Sequence, residues 1–173
     1  ELGPSNGLVS ETKFRTVEPP YKRCVAIGPC WQDADGHWQA LADTQPDATV
    51  EVLHQGVDRV AFRVVYAATR QIVETYCVDP EGVTVTVNAG EGPVRLTAPL
   101  LVTDGEVCAK FCMENRAVTV TYRGVTYRIA ALEDDVSMRR LGVRAPNRNG
   151  IYDLAVFERA RGTISARFEF SAT

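Results

Sequence analysis

Apolar residues recur at every second position along most of this chain. Val60, Phe62, Val64 and Tyr66 share one phase. Val83, Val85 and Val87 alternate with Thr84 and Thr86, Val107, Ala109 and Phe111 with Glu106 and Lys110, and Ile164, Ala166, Phe168 and Phe170 with Ser165, Arg167 and Glu169. A period of two sends neighbouring side chains to opposite faces, so each run predicts a strand with one buried face, as in an antiparallel sheet. The β-branched and aromatic residues that fill these runs suit a pleated, half-buried surface.

Turn residues separate the runs. Arg123-Gly124 predicts a two-residue hairpin turn within Val118–Ile129, because glycine adopts positive φ freely. That register sets Tyr122 opposite Val125, Val120 opposite Tyr127 and Val118 opposite Ile129, all apolar, with Thr121 facing Thr126 on the other side. A one-residue slip would bury the polar set. Asp79-Pro80-Glu81-Gly82 predicts a second turn, joining Ile72–Val78 to Val83–Asn88 in either of two registers. Strands at this spacing, with no long helices between them, predict an all-β antiparallel β-sandwich of about ten strands. It is expected to form a single domain over residues 8–173, after a flexible segment at residues 1–7. Only Glu133–Leu141 reads as a short helix.

Composition narrows the possible partners. A net charge of −3 over 173 residues provides no basic face, so nucleic acid is not an expected partner. No apolar run reaches the length of a membrane span. The first residue is Glu1, and the chain is expected to be part of a longer protein. The five cysteines leave at least one unpaired within the chain. Cys108 and Cys112, four apart in one expected strand, would lie about 13 Å apart, too far for a disulfide.

Little in the sequence points to catalysis or metal binding. His37 and His54 occupy separate segments, and no zinc-ligand spacing is present, so no metal or other cofactor is expected. Asp33-Ala34-Asp35-Gly36 begins like a calcium loop but lacks its downstream acidic ligand, and reads instead as an Asp-Gly turn. Glu133-Asp134-Asp135 reads as a solvated turn or a helix start, and no catalytic residue is assigned. Two groups are candidates for ligand binding. Trp31 and Trp38 flank the Asp33–Gly36 turn, and turns of two or four residues would place both indoles on one face. That face is either core or a platform for a sugar ring, with Asp33 and His37 adding polar contacts. The second group is Arg144, Asn147, Arg148 and Tyr152, in a loop entering a late strand. Arginine forks match carboxylates, asparagine amides match hydroxyls, and a tyrosine ring offers an apolar face, which together suit an acidic glycan. The plain alternative is a polar turn.

Ala61-Phe62-Arg63-Val64, Glu74-Thr75-Tyr76, Pro80-Glu81-Gly82-Val83 and Ala98-Pro99-Leu100-Leu101 resemble the C-terminal β-sheet domain of heparinase II/III-like polysaccharide lyases and related supersandwich proteins. The resemblance covers Val50–Ile129. In that family a helical toroid and its interface carry most of the catalytic residues, and none of them maps onto a position here. The resemblance therefore implies a supersandwich-like, non-catalytic accessory domain of a polysaccharide-processing protein. Its partner would be a polysaccharide or a neighbouring catalytic domain, in a secreted or periplasmic setting. The alternative is a structural or protein-interaction domain without a small ligand, and the third reading is a complete lyase or hydrolase.

Overall fold

A computed structural model of the chain describes residues 28–44, 46–67, 70–147 and 150–172. The expected flexible segment, residues 1–7, lies outside them, as do Cys24 and Arg148. Among the described residues there are fourteen strands: β1 (Gly28–Gln32), β2 (Trp38–Ala40), β3 (Asp47–Gln55), β4 (Val60–Ala67), β5 (Gln71–Asp79), β6 (Gly82–Asn88), β7 (Val94–Thr103), β8 (Lys110–Met113), β9 (Ala117–Tyr122), β10 (Val125–Ala131), β11 (Ser137–Arg140), β12 (Ala145–Asn147), β13 (Gly150–Arg159) and β14 (Thr163–Ala172). One helical turn, α1 (Leu41–Thr44), follows β2. The strand expected over Val107–Phe111 is formed only from Lys110 onward, as β8, and the short strands β11 and β12 are too brief to show a period of two.

The strands form two antiparallel sheets. The smaller runs β11-β13-β7-β1-β2, with β12 also paired to β13, and the larger runs β3-β4-β5-β6-β14-β10-β9-β8. One apolar cluster joins them. Trp31, Leu96, Ala98, Leu100, Ala155 and Phe157 enter it from the smaller sheet, and Val64, Ile72, Val85, Val87, Val120, Ile129, Ile164 and Ala166 from the larger. The chain is thus the all-β sandwich that its alternation predicts. β13 is buried at every position from Asp153 to Phe157, so both of its faces are covered. No helix among the described residues is long and apolar enough to cross a membrane.

The β9–β10 hairpin has the expected register, with Tyr122 opposite Val125, Val120 opposite Tyr127 and Val118 opposite Ile129. Arg123 (φ 47°) and Gly124 (φ 76°) both take left-handed conformations, the type I′ geometry that matches strand twist. Thr121 and Thr126 share a 3.1 Å hydrogen bond across the other face. At the β5–β6 turn, Asp79 pairs with Gly82, which selects the two-residue loop Pro80-Glu81. The Asp79 carboxylate accepts the Glu81 and Gly82 amides and a two-pronged contact from Arg167 of β14.

The expected helix at Glu133–Leu141 is not formed. Glu133-Asp134-Asp135 makes a turn, and Ser137–Arg140 pairs with β13 as β11. Met138 packs against the core while its neighbours Ser137 and Arg139 are exposed, so sheet pairing overrides a weak local preference. Cys108 and Cys112 do not share a strand. Cys108 forms a lone bridge to Thr103, whereas Cys112 lies in β8, and both are free thiols.

Gly82 carries a specific steric demand. Its φ is +153°, and a β-carbon there would sit 1.9 Å from the Phe168 carbonyl oxygen. Gly90 also has positive φ (+76°) but has no atom within 4 Å of that position. Gly82→Ala is therefore expected to lose upwards of about 2 kcal/mol in denaturant unfolding, against about 1 kcal/mol for Gly90→Ala. Equal losses would show that backbone conformation alone, without the Phe168 contact, sets the penalty.

Candidate functional site

The β1–β2 hairpin decides the first candidate group. The Asp33 amide donates to the His37 carbonyl (3.0 Å) and the Gly36 amide to the Asp33 carbonyl (3.1 Å), enclosing a loop of three residues, Ala34-Asp35-Gly36. Gly36 takes the left-handed conformation that closes such a loop (φ 81°). An odd loop shifts the register by one relative to loops of two or four. Trp38 therefore opposes Gln32, and Trp31 opposes Gln39. The indoles lie on opposite faces, which corrects the expectation of a shared one. Trp31, 1% exposed, is part of the main core. Trp38 packs on Cys30, Ala40 and Ala42, and the Arg95 guanidinium lies 3.5 Å from its ring centroid. Glu158 holds Arg95 through a 2.7 Å hydrogen bond. The two indoles thus form no sugar platform.

Asp33 closes its own loop. One carboxylate oxygen accepts the His37 amide (2.9 Å) and the Asp35 amide (3.0 Å), and the other accepts the Gln39 side chain (2.8 Å). These bonds, the His37 amide foremost, hold its carboxyl below the usual range. Ligand atoms of Asp33, Asp35 and His37 lie within 4.8 Å of one another.

The second candidate group falls where β12 turns into β13. Asn147 pairs with Gly150, and Ala145 with Tyr152. Of Asn147 only the backbone position is described. Arg144 is exposed, one residue beyond the partner of Tyr152. Tyr152 lines a cleft of about 340 Å³ between the sheets, with Pro99 and Leu101 from β7, Tyr127 and Ile129 from β10, and Phe168 and Phe170 from β14. The Tyr127 hydroxyl accepts the Leu101 amide at 3.0 Å, and burial pushes this phenol up to about 12. Burial also raises Tyr152. Phe170 remains 62% exposed, its ring centroid 6.3 Å from that of Tyr127. The alternation of β14 marks Phe168 and Phe170, but nothing in the sequence brings them to Tyr152, because that contact joins two sheets. A second, wider groove of about 550 Å³ is bordered by Arg70, Gln71, Val73 and the 88–91 loop. Arg70 donates there to the carbonyls of Gln32, Ala89 and Glu91, which commits its guanidinium to tying loops together.

Glu74 was not marked as a candidate by the sequence, although it stands in phase with Ile72 and Tyr76 on the inward face of β5. Its side chain is fully buried. The Tyr66 hydroxyl donates to Oε2 at 2.7 Å, and Oε1 has no partner among the described residues. Desolvation raises the carboxyl to about 7, opposed by hydrogen bonding from Tyr66 and Tyr76. A carboxyl and two phenols are acid–base groups in kind, but a catalytic proton donor needs hydrogen-bond reach to its substrate. Glu74 presents no surface to one.

No protein-family model matches the chain, and no curated protein matches it. Its fold and cleft define a class: an antiparallel β-sandwich with an aromatic-lined cleft between its sheets.

Because Glu74 resists ionisation, the folded state holds a proton that the unfolded chain releases near the ordinary value of 4.5. Stability should therefore fall as pH rises from about 4.5 to about 7, by on the order of 3 kcal/mol, and level off above. Glu74→Gln should remove this slope. In urea unfolding the variant should match the parent near pH 4.5 and exceed it at pH 8. Parallel profiles across that range would assign the proton elsewhere.

Proposed function

We propose that this chain is a non-catalytic binding module of a polysaccharide-processing protein, and that the cleft holding Tyr152 receives an acidic glycan. The observation that carries this reading is the exposed Phe170 ring, standing beside Tyr127 at a concave, aromatic-lined site. Aromatic rings stack on the apolar faces of sugars, and clefts with few polar groups suit ligands of this size. Arg144 is exposed next to Ala145, the partner of Tyr152, and though it is not one of the residues lining the cleft it is the cation proposed for a uronate. The resemblance of Val50–Ile129 to accessory β-domains of polysaccharide lyases agrees with this role; Pro99 and Leu101 of its motifs line the cleft, but no catalytic residue of that family maps onto a position here.

Calorimetric titration with uronate-containing oligosaccharides tests the proposal. Phe170→Ala should weaken binding about tenfold, the scale of one lost stacking contact. Arg144→Ala should weaken uronates but not neutral oligosaccharides of equal length. Absence of binding to either class, or an affinity indifferent to Phe170→Ala, would exclude the cleft as a glycan site.

A further inference from the structure

The larger sheet extends beyond the core at one side. β3 is its outermost strand, paired to β4 along one edge and to no strand among the described residues along the other. All nine of its residues are exposed. Val50 and Val52 stand opposite Val64 and Phe62, which belong to or pack on the core, so they continue the apolar inner face of the sheet into solvent. They are 61% and 62% exposed. With Leu53, Val57 and Val60 they make up half of the exposed large hydrophobics.

Natural edge strands are usually short, or blunted by lysine, proline or a bulge. β3 contains neither lysine nor proline, and its one irregularity lies near its end, between Val52 and His54. Its outer edge, unpaired among the described residues, presents backbone amides and carbonyls to an extended strand. That strand must carry apolar residues at alternate positions on the inner side and polar residues on the outer side. β3 itself has this pattern, with Ala48, Val50 and Val52 on one face and Thr49 and Glu51 on the other.

We propose that β3 pairs antiparallel with β3 of a second copy about a two-fold axis, joining the two larger sheets into one. Charge and strand overlap together select the register: dyads at Ala48 or Val52 also avoid like charges, but the first pairs only three residues of β3 and the second includes the irregularity between Val52 and His54. A dyad at Glu51 would face two carboxylates, and a dyad at Thr49 would face Asp47 with Glu51. Like charges directly opposite are unfavourable. A dyad at Val50 avoids both: Val50 meets Val50, Ala48 meets Val52, Thr49 meets Glu51 and Asp47 meets Leu53. Glu51 is already bridged to Arg63 within its own copy. A two-fold contact uses the same patch on both copies, so assembly through it closes at a dimer. The inference stands apart from the glycan reading and uses none of its residues.

Sedimentation velocity on the full chain from low to high micromolar concentration should show a reversible monomer–dimer equilibrium. The double variant Val50→Lys, Val52→Lys should stay monomeric, with an unchanged melting temperature because both positions face solvent. Under mild oxidation Val50→Cys should give a disulfide-linked dimer severalfold above the parent background, whereas Thr49→Cys should not. A parent chain that is monomeric throughout overturns the proposal. So does a dimer that survives the lysine substitutions, or equal cross-linking at positions 49 and 50.

Discussion

The inner faces of the two sheets press together around Phe157, Leu96 and Ala98 on one side and Val85, Ile164 and Ala166 on the other, and every other feature of the molecule hangs on that contact. Hydrophobic burial is non-directional and grows with the apolar area withdrawn from water, so it rewards any register that turns these side chains inward and none that does not. Each fully buried valine, leucine, isoleucine or phenylalanine among them contributes roughly 1.5–3 kcal/mol relative to exposure. β13 feels the contact most, being buried on both faces from Asp153 to Phe157. The cleft of Tyr127, Tyr152 and Phe170 is lined by side chains from both of these layers.

Burial on this scale forces the polar groups it traps to find partners, and two carboxyls solve the problem differently. Asp153 accepts two contacts from Arg140 and the backbone amides of Gly142, Val143 and Leu154, which pins the segment after β11 to β13. Arg140 in turn lies over the Phe111 ring, 4.0 Å from its centroid, reaching from the smaller sheet to the larger. Glu74 has only phenols as donors and one oxygen without a partner, so desolvation prevails and the proton is retained towards neutral pH. The first arrangement ties chain segments together. The second makes the core sensitive to pH.

Hairpin loops show how far local chemistry reaches. At Arg123-Gly124 the apolar pairing set and the glycine agreed on one loop, and that loop formed. At Asp79–Gly82 two registers were compatible with the sequence, and the approach of the Phe168 carbonyl, which leaves room only for hydrogen at Gly82, accompanies the shorter one. At Asp33–Gly36 a loop of three residues replaced the two or four considered, and a single residue of difference carried Trp38 to the opposite face from Trp31. Loop parity is decided by which amide reaches which carbonyl, a matter of a few tenths of an ångström that residue types do not encode.

From the sequence alone came the fold class, the phase of the main strands and the β9–β10 register, because period-two alternation and turn glycines are local signals. Tertiary structure decided the rest. It made Ser137–Arg140 a strand, since β13 offered an unpaired edge there. It separated the tryptophans, and it brought Phe168 and Phe170 from β14 to Tyr152 on β13. It also left Val50 and Val52 in solvent although their alternation is that of core residues, because the smaller sheet does not extend over β3. Alternation tells which face of a strand is apolar. Whether another layer lies over that face depends on how wide each sheet grows, which is a property of the whole chain and of no single segment.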